Sequence, residues 1–132
     1  MLTYDPRSIS TKVYTNLNKL QQDTRSNTDK KEQKSQAVEL YTYVATWGLL
    51  RLKAEETALK QDSKKEVVEC FFKTLGQIVF PDDDNQLADK DGLNYLITRS
   101  ASEFLGLTGL ALQVAREFAF WAEAIYPDVP NK

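Results

Sequence analysis

Between Gln33 and Ala58 the chain reads QKSQAVELYTYVATWGLLRLKAEETA, and from Ala37 to Ala54 nearly every position is apolar or aromatic. A helix built from that run has to be covered on more than one side. Ala37, Leu40, Tyr41, Val44 and Gly48 follow the i, i+3, i+4, i+7 rule for one face, while Tyr43, Trp47, Leu50 and Ala54 follow it for another. One face suits an internal core and the other a partner. Tyr41, Tyr43, Trp47 and Leu50 are therefore the candidate interface residues, since aromatics at helical spacing pack in cores or at interface centres more often than they stack on bases.

At 132 residues the chain fits one domain with a real core. The expected division is residues 1–28 as an N-terminal helix and polar loop, with residues 29–132 as the core helices. The apolar fraction of 42% and the charged fraction of 27% are those of an ordinary globular protein, which confines disorder to segments. No apolar run is long enough to cross a bilayer, and the start MLTYDPRSIS lacks the basic-then-apolar pattern of a signal peptide. A cytoplasmic protein with no membrane partner is expected.

The chain has no histidine, which removes histidine-based acid/base chemistry, Ser/His/Asp triads, Cys/His nucleophiles and histidine metal sites together. Cys70 is the single cysteine and sits among Val67, Val68, Phe71 and Phe72, where it reads as a small core residue. Asp82, Asp83 and Asp84 suggest a calcium loop only superficially. Counted from Asp82, Leu87 and Leu93 stand where that loop needs glycine and glutamate, so a solvated loop is expected, with no metal or other cofactor.

Along the chain, Asp5-Pro6 opens a first helix with a stripe of Ile9, Val13, Leu17 and Leu20. A polar loop follows, with Asp29 expected to cap a second helix that runs to about Lys60. Ser63 and Glu66 have capping-box spacing at the start of a third, whose stripe is Val68, Phe71, Phe72, Leu75 and Val79 and which ends before Pro81. After Asp91-Gly92 two further helices are expected, broken around Gly106 and Gly109, with Thr108 capping the last and Pro127 stopping it. No strand-like alternation appears. The expected fold is an all-α compact single-domain bundle of five or six helices.

Charge is unevenly spread. Residues 1–60 hold ten basic and seven acidic residues, whereas residues 81–132 hold four and nine, so the front half is the basic half. Lys30, Lys31 and Lys34 fall on one helical face with no acidic residue three or four positions away, a spacing that costs about 0.2–0.5 kcal/mol per like-charged pair unless an anion is supplied. Lys64 and Lys65 follow the Ser63 helix start, where free backbone N–H groups favour an anion. Arg51 is the only charge between Leu40 and Leu52, with Glu55 as its candidate partner, and Arg99 has Glu103 four residues on. Arg116, in an otherwise apolar helix, is expected to form a structural ion pair. The cations other than Arg116 are candidate phosphate contacts without base readout; solvated surface faces are the competing reading.

The segment KSQAVELYTYVATWGLLRLKA, residues 34–54, resembles the small subunit of type III CRISPR effector complexes, most closely the Cmr (type III-B) kind, at Lys34, Ser35, Ala37, Leu40, Val44, Gly48 and Leu49. NYLITRSASEFLGLTGLALQVAREFAFWAEAIY, residues 94–126, is similar to that family's closing helices at Tyr95, Thr98, Glu103, Leu105, Phe118 and Ala122. Tyr41 and Trp47 depart from the family pattern. The resemblance implies an all-α protein without catalytic activity. It also implies several copies stacked head to tail opposite the backbone subunits that carry CRISPR RNA, with the large subunit at one end, helping to hold target RNA against the guide.

Two other classes compete. A helical adaptor or regulatory module would bind protein alone, and its mostly apolar contacts would respond less to salt than phosphate contacts do. A small enzyme dependent on Lys64 or Asp83 is the third, and no residue spacing suggests it.

Overall fold

The computed structural model describes residues 6–59, 62–80, 87–88 and 91–126, and among them it contains six helices and no strand. They are α1 (Pro6–Asp23), α2 (Asn27–Trp47), α3 (Leu49–Ala58), α4 (Asp62–Val79), α5 (Gly92–Ile97) and α6 (Ala101–Ile125). This is the expected all-α bundle.

α1, α2, α4 and α6 pack on one another, while α3 and α5 close one end. Their apolar stripes meet in one buried cluster: Ile9, Val13 and Leu17 from α1, Ala37, Leu40 and Val44 from α2, Val67 to Ile78 from α4, and Leu107 to Ile125 from α6. Phe71 lies edge-on to Phe72 and Phe118, with ring centroids 5.2 and 5.7 Å away. Each such side chain contributes about 1.5–3 kcal/mol by leaving water. Side-chain pairs from Lys34 to Glu123 and from Tyr41 to Arg116 run in opposite chain directions, so α2 and α6 are antiparallel.

Four local expectations are corrected. The helix expected from Asp29 to Lys60 is two helices, because Gly48 adopts φ 91°, ψ 163°, a conformation open to glycine and costly for residues with a Cβ. The cap of α2 is Ser26, whose Oγ accepts from the Asp29 N–H, and not Asp29 itself. Ser63 does not cap α4, which starts one residue earlier; its hydroxyl is buried and donates to the Glu32 carboxylate of α2. The capping box belongs to Ser100 and Glu103, and α6 then runs unbroken through Gly106, Thr108 and Gly109, with the Thr108 hydroxyl donating to the Phe104 carbonyl inside the helix. Twenty-five residues of helix outweigh the two glycines there because Leu107, Leu110 and Ala111 are anchored in the core.

Polar groups inside the bundle are paired. Gln33 is fully buried: its Nε2 donates to Thr24 Oγ1 at 2.9 Å and its Oε1 accepts from the Tyr126 hydroxyl at 2.8 Å, joining the ends of α1, α2 and α6. Burial holds the Tyr126 phenol above its ordinary pKa. Lys53, also buried, donates to both Glu56 oxygens at 3.1 and 3.3 Å and to the Leu87 carbonyl at 2.6 Å, with its ammonium 4.7 Å from the Phe72 ring. Thr74 accepts from Asn16 at 2.8 Å, tying α4 to α1.

Candidate docking and RNA-contact surfaces

The break at Gly48 leaves Trp47, the last residue of α2, facing outward together with Leu50 and Arg51 of the first turn of α3, while Leu49 and Leu52 of that turn are buried. Trp47 is 54% exposed and Leu50 is also exposed, while the Arg51 guanidinium lies 4.5 Å over the Trp47 ring. Arg51 is thus stacked on an aromatic and not paired with Glu55, whose carboxylate instead accepts from the Tyr43 hydroxyl at 3.0 Å. Partial burial, followed by that hydrogen bond and the Glu55 charge, raises the Tyr43 pKa. Tyr43 and Tyr41 are half-buried against the core. Tyr41 accepts from Arg116 Nη2 at 3.3 Å with the guanidinium 5.1 Å from its ring, so a tyrosine takes the place of the ion pair expected for Arg116.

The expected lysine face does not survive intact. Lys34 is only 5% exposed and its Nζ lies 3.2 Å from Glu123 of α6, a residue far away in sequence. It belongs to the bundle's framework. Lys31 is exposed and Lys30 half-exposed, and neither forms an ion pair among the described residues. The Ser63 to Glu32 hydrogen bond sets the start of α4 beside the start of α2, which brings Lys64 and Lys65 to the end of the molecule that carries Lys30 and Lys31.

That end is also acidic. Glu66 is held above the usual carboxylate range by burial first and then by the charges of Glu69, Asp29 and Asp62, against the hydrogen bond from Gln33. The four lysines stand among these carboxylates. Arg51 and Arg99 lie at the opposite end, because Trp47 is sixteen residues beyond Lys31, about 25 Å along α2. The candidate RNA residues therefore form two separate sets.

At that second end, the Arg99 Nε donates to the Tyr95 carbonyl at 3.1 Å and Nη2 to Thr98 Oγ1 at 3.3 Å, and the guanidinium sits 4.2 Å over the Tyr95 ring. Glu103, its expected partner, instead accepts the Ser100 N–H, and those contacts with Ser100 lower its pKa. Leu105, 70% exposed, and Ile97 are uncovered close by in sequence, and Phe120 and Tyr14 are exposed on either side of Trp121. Periodicity offers a signal for the first of these: Leu105 is out of step with Leu107, Leu110, Ala111 and Val114, which mark the buried side of α6.

No protein-family model, curated protein or solved structure matches the chain. Chemistry must be read from the side chains alone. Among the described residues no group of three or more His, Cys, Asp or Glu is arranged to hold a metal ion, and the Asp82–Asp84 run lies outside the described residues. Burial pushes the Cys70 thiol up to about 12, so it is protonated near neutral pH and a poor nucleophile. No described helix is long and apolar enough to cross a membrane.

Proposed function

We propose that the chain is a non-catalytic helical subunit of a cytoplasmic type III CRISPR ribonucleoprotein, docking to its own copies and to neighbouring backbone and large subunits, and touching CRISPR RNA and target RNA through phosphate contacts. The observation that carries the docking part is the exposed Trp47 with Arg51 stacked on it at the α2–α3 junction. Tryptophan and arginine dominate the centres of protein interfaces, and a stacked arginine has already lost part of its freedom before a partner arrives. The ribonucleoprotein part is supported by the resemblance of residues 34–54 and 94–126. Lys34 leaves the RNA set, because its charge is engaged by Glu123. Lys30, Lys31, Lys64 and Lys65 remain as the phosphate-contact set at one end, while Arg51 and Arg99, each stacked on an aromatic ring at the other, fit the docking part.

The carboxylates among the four lysines favour a second reading, an adaptor that binds protein without RNA. Purifying a tagged chain from its native host separates the two. The first reading expects CRISPR RNA and several helical copies in the purified particle, with RNA affinity falling steeply as salt rises. Protein partners without RNA would favour the adaptor, and a lone monomer would overturn both.

A further inference from the structure

A groove of about 640 Å³ runs between the end of α4, α5 and the first half of α6. Val79, Tyr95, Leu105, Leu107 and Leu110 make it mainly apolar, and Arg99 stands in its wall. We infer that this groove docks a partner peptide segment in which apolar side chains flank a carboxylate, the apolar groups entering between α5 and α6 and the carboxylate meeting Arg99. The inference rests on the protein-docking part of the reading above and does not require the RNA part.

Arg99 commits the groove to an anion. The Tyr95 carbonyl and ring and the Thr98 hydroxyl hold its guanidinium, and Tyr95 is itself braced edge-on by Phe80 at 5.4 Å. Two of its nitrogens are used; the third has no partner among the described residues, and the group forms no ion pair there. Glu103, on the same wall, has its Oε1 engaged by the Ser100 N–H. The Glu103 and Arg99 charges act on each other but form no close ion pair, so this half-buried, oriented guanidinium in apolar surroundings can still take a carboxylate through two parallel hydrogen bonds.

The rest of the wall speaks for a peptide. At Gly106 and Gly109 an added Cβ would meet nothing within 4 Å, so beside the exposed Leu105 the surface of α6 is bare backbone that another chain can approach closely. Glu103 on the same wall opposes a phosphate-rich polymer, whereas one carboxylate between apolar groups meets one arginine between apolar groups.

Selection of a displayed library of short random peptides on the whole chain tests this, followed by fluorescence polarisation of the selected peptides. Two variants carry the decision. Arg99→Gln removes the cation. Gly109→Leu enters the groove from a position where an added Cβ would meet nothing within 4 Å and should raise the melting temperature by replacing a helical glycine; a melting temperature at or above the parent's separates loss of binding from misfolding. The expected peptides share an acidic residue between apolar ones and bind Arg99→Gln about tenfold or more weakly. Amidating the peptide's acidic residue should cost a similar factor, with no further loss when both changes are combined, and Gly109→Leu should not bind.

Selection of no peptide, or of peptides that bind either variant as well as the parent, overturns the inference. So does a labelled oligouridylate that binds the parent and loses affinity in Arg99→Gln while no peptide is selected, an outcome that assigns the groove to RNA. If the chain purifies alone from its host yet selects peptides meeting these criteria, the ribonucleoprotein reading fails and the groove stands. If the complex is intact but Gly109→Leu binds selected peptides like the parent, the groove alone fails.

Discussion

Lys34 of α2 and Glu123 of α6 form an ion pair at 3.2 Å in which the lysine is almost wholly covered and the carboxylate is half open to water. A charge removed from solvent in this way is tied to its partner, because losing the partner leaves an uncompensated cation in the bundle. Lys34→Glu should therefore lower stability by about 2 kcal/mol or more, while Lys30→Glu and Lys31→Glu stay within about 0.5 kcal/mol of the parent. Urea unfolding of the three variants is the check. An RNA-binding defect seen only with Lys34→Glu would report a weakened fold.

Trp47→Asp should leave a cooperatively melting helical protein, since the side chain is mostly in water and its main contact is Arg51. The loss expected is about 0.5–1 kcal/mol, the worth of an exposed cation–π contact. Self-association and entry into a larger complex should be abolished, as read by sedimentation velocity and co-purification. A variant that unfolds would place Trp47 in the core and remove the docking surface.

Lys53 and Glu56 behave as a unit. Burial raises the Glu56 pKa despite the opposing hydrogen bond and charge of Lys53, and the lysine also holds the Leu87 carbonyl. Either single replacement, Lys53→Ala or Glu56→Ala, should cost about 3 kcal/mol, and the double variant Lys53→Met with Glu56→Leu should cost less than the sum. Chemical denaturation of the three proteins measures this, and additive losses would show the two residues to be independent.

Glu103 gives the start of α6 a pH dependence. Its contacts with Ser100 lower its folded-state pKa, so its stabilising contribution is full above the ordinary carboxylate pKa and is lost as pH falls through the lowered value. Melting temperatures from neutral pH to about pH 3 should fall more steeply for the parent than for Glu103→Gln, whose side chain can still accept the Ser100 N–H but does not titrate. Parallel curves would mean that the cap makes no difference to folding.

The stripes of α1 and α4 are legible because each repeats one apolar spacing over several turns: Ile9, Val13 and Leu17 are all buried, as are Val68, Phe71, Phe72 and Leu75. Helix ends were harder. Ser26 and Ser100 are caps, yet Asp29, Ser63 and Thr108 offer the same short polar side chains nearby, and only the backbone path decides among them. Lys34 looks unpartnered in the sequence because its carboxylate is across the bundle on α6, beyond the three- and four-residue spacings of its own helix. Charge spacing points Arg51, Arg99 and Arg116 toward carboxylates, whereas each meets the face of a tyrosine or tryptophan, a partner that charge counting overlooks.

Gly48 also resets the rotational phase of the chain. In an unbroken helix, seven residues at about 100° each bring position 51 back to within about 20° of position 44, and Val44 faces the core. Arg51 would then point inward and Leu49 would turn away. The single left-handed residue shifts the count, so that Leu49, Leu52, Lys53 and Glu56 are covered while Arg51 swings out onto Trp47. A residue that straightened this joint would exchange a guanidinium for a leucine in the interior, and the molecule would lose part of its core and its most exposed tryptophan–arginine pair in the same movement.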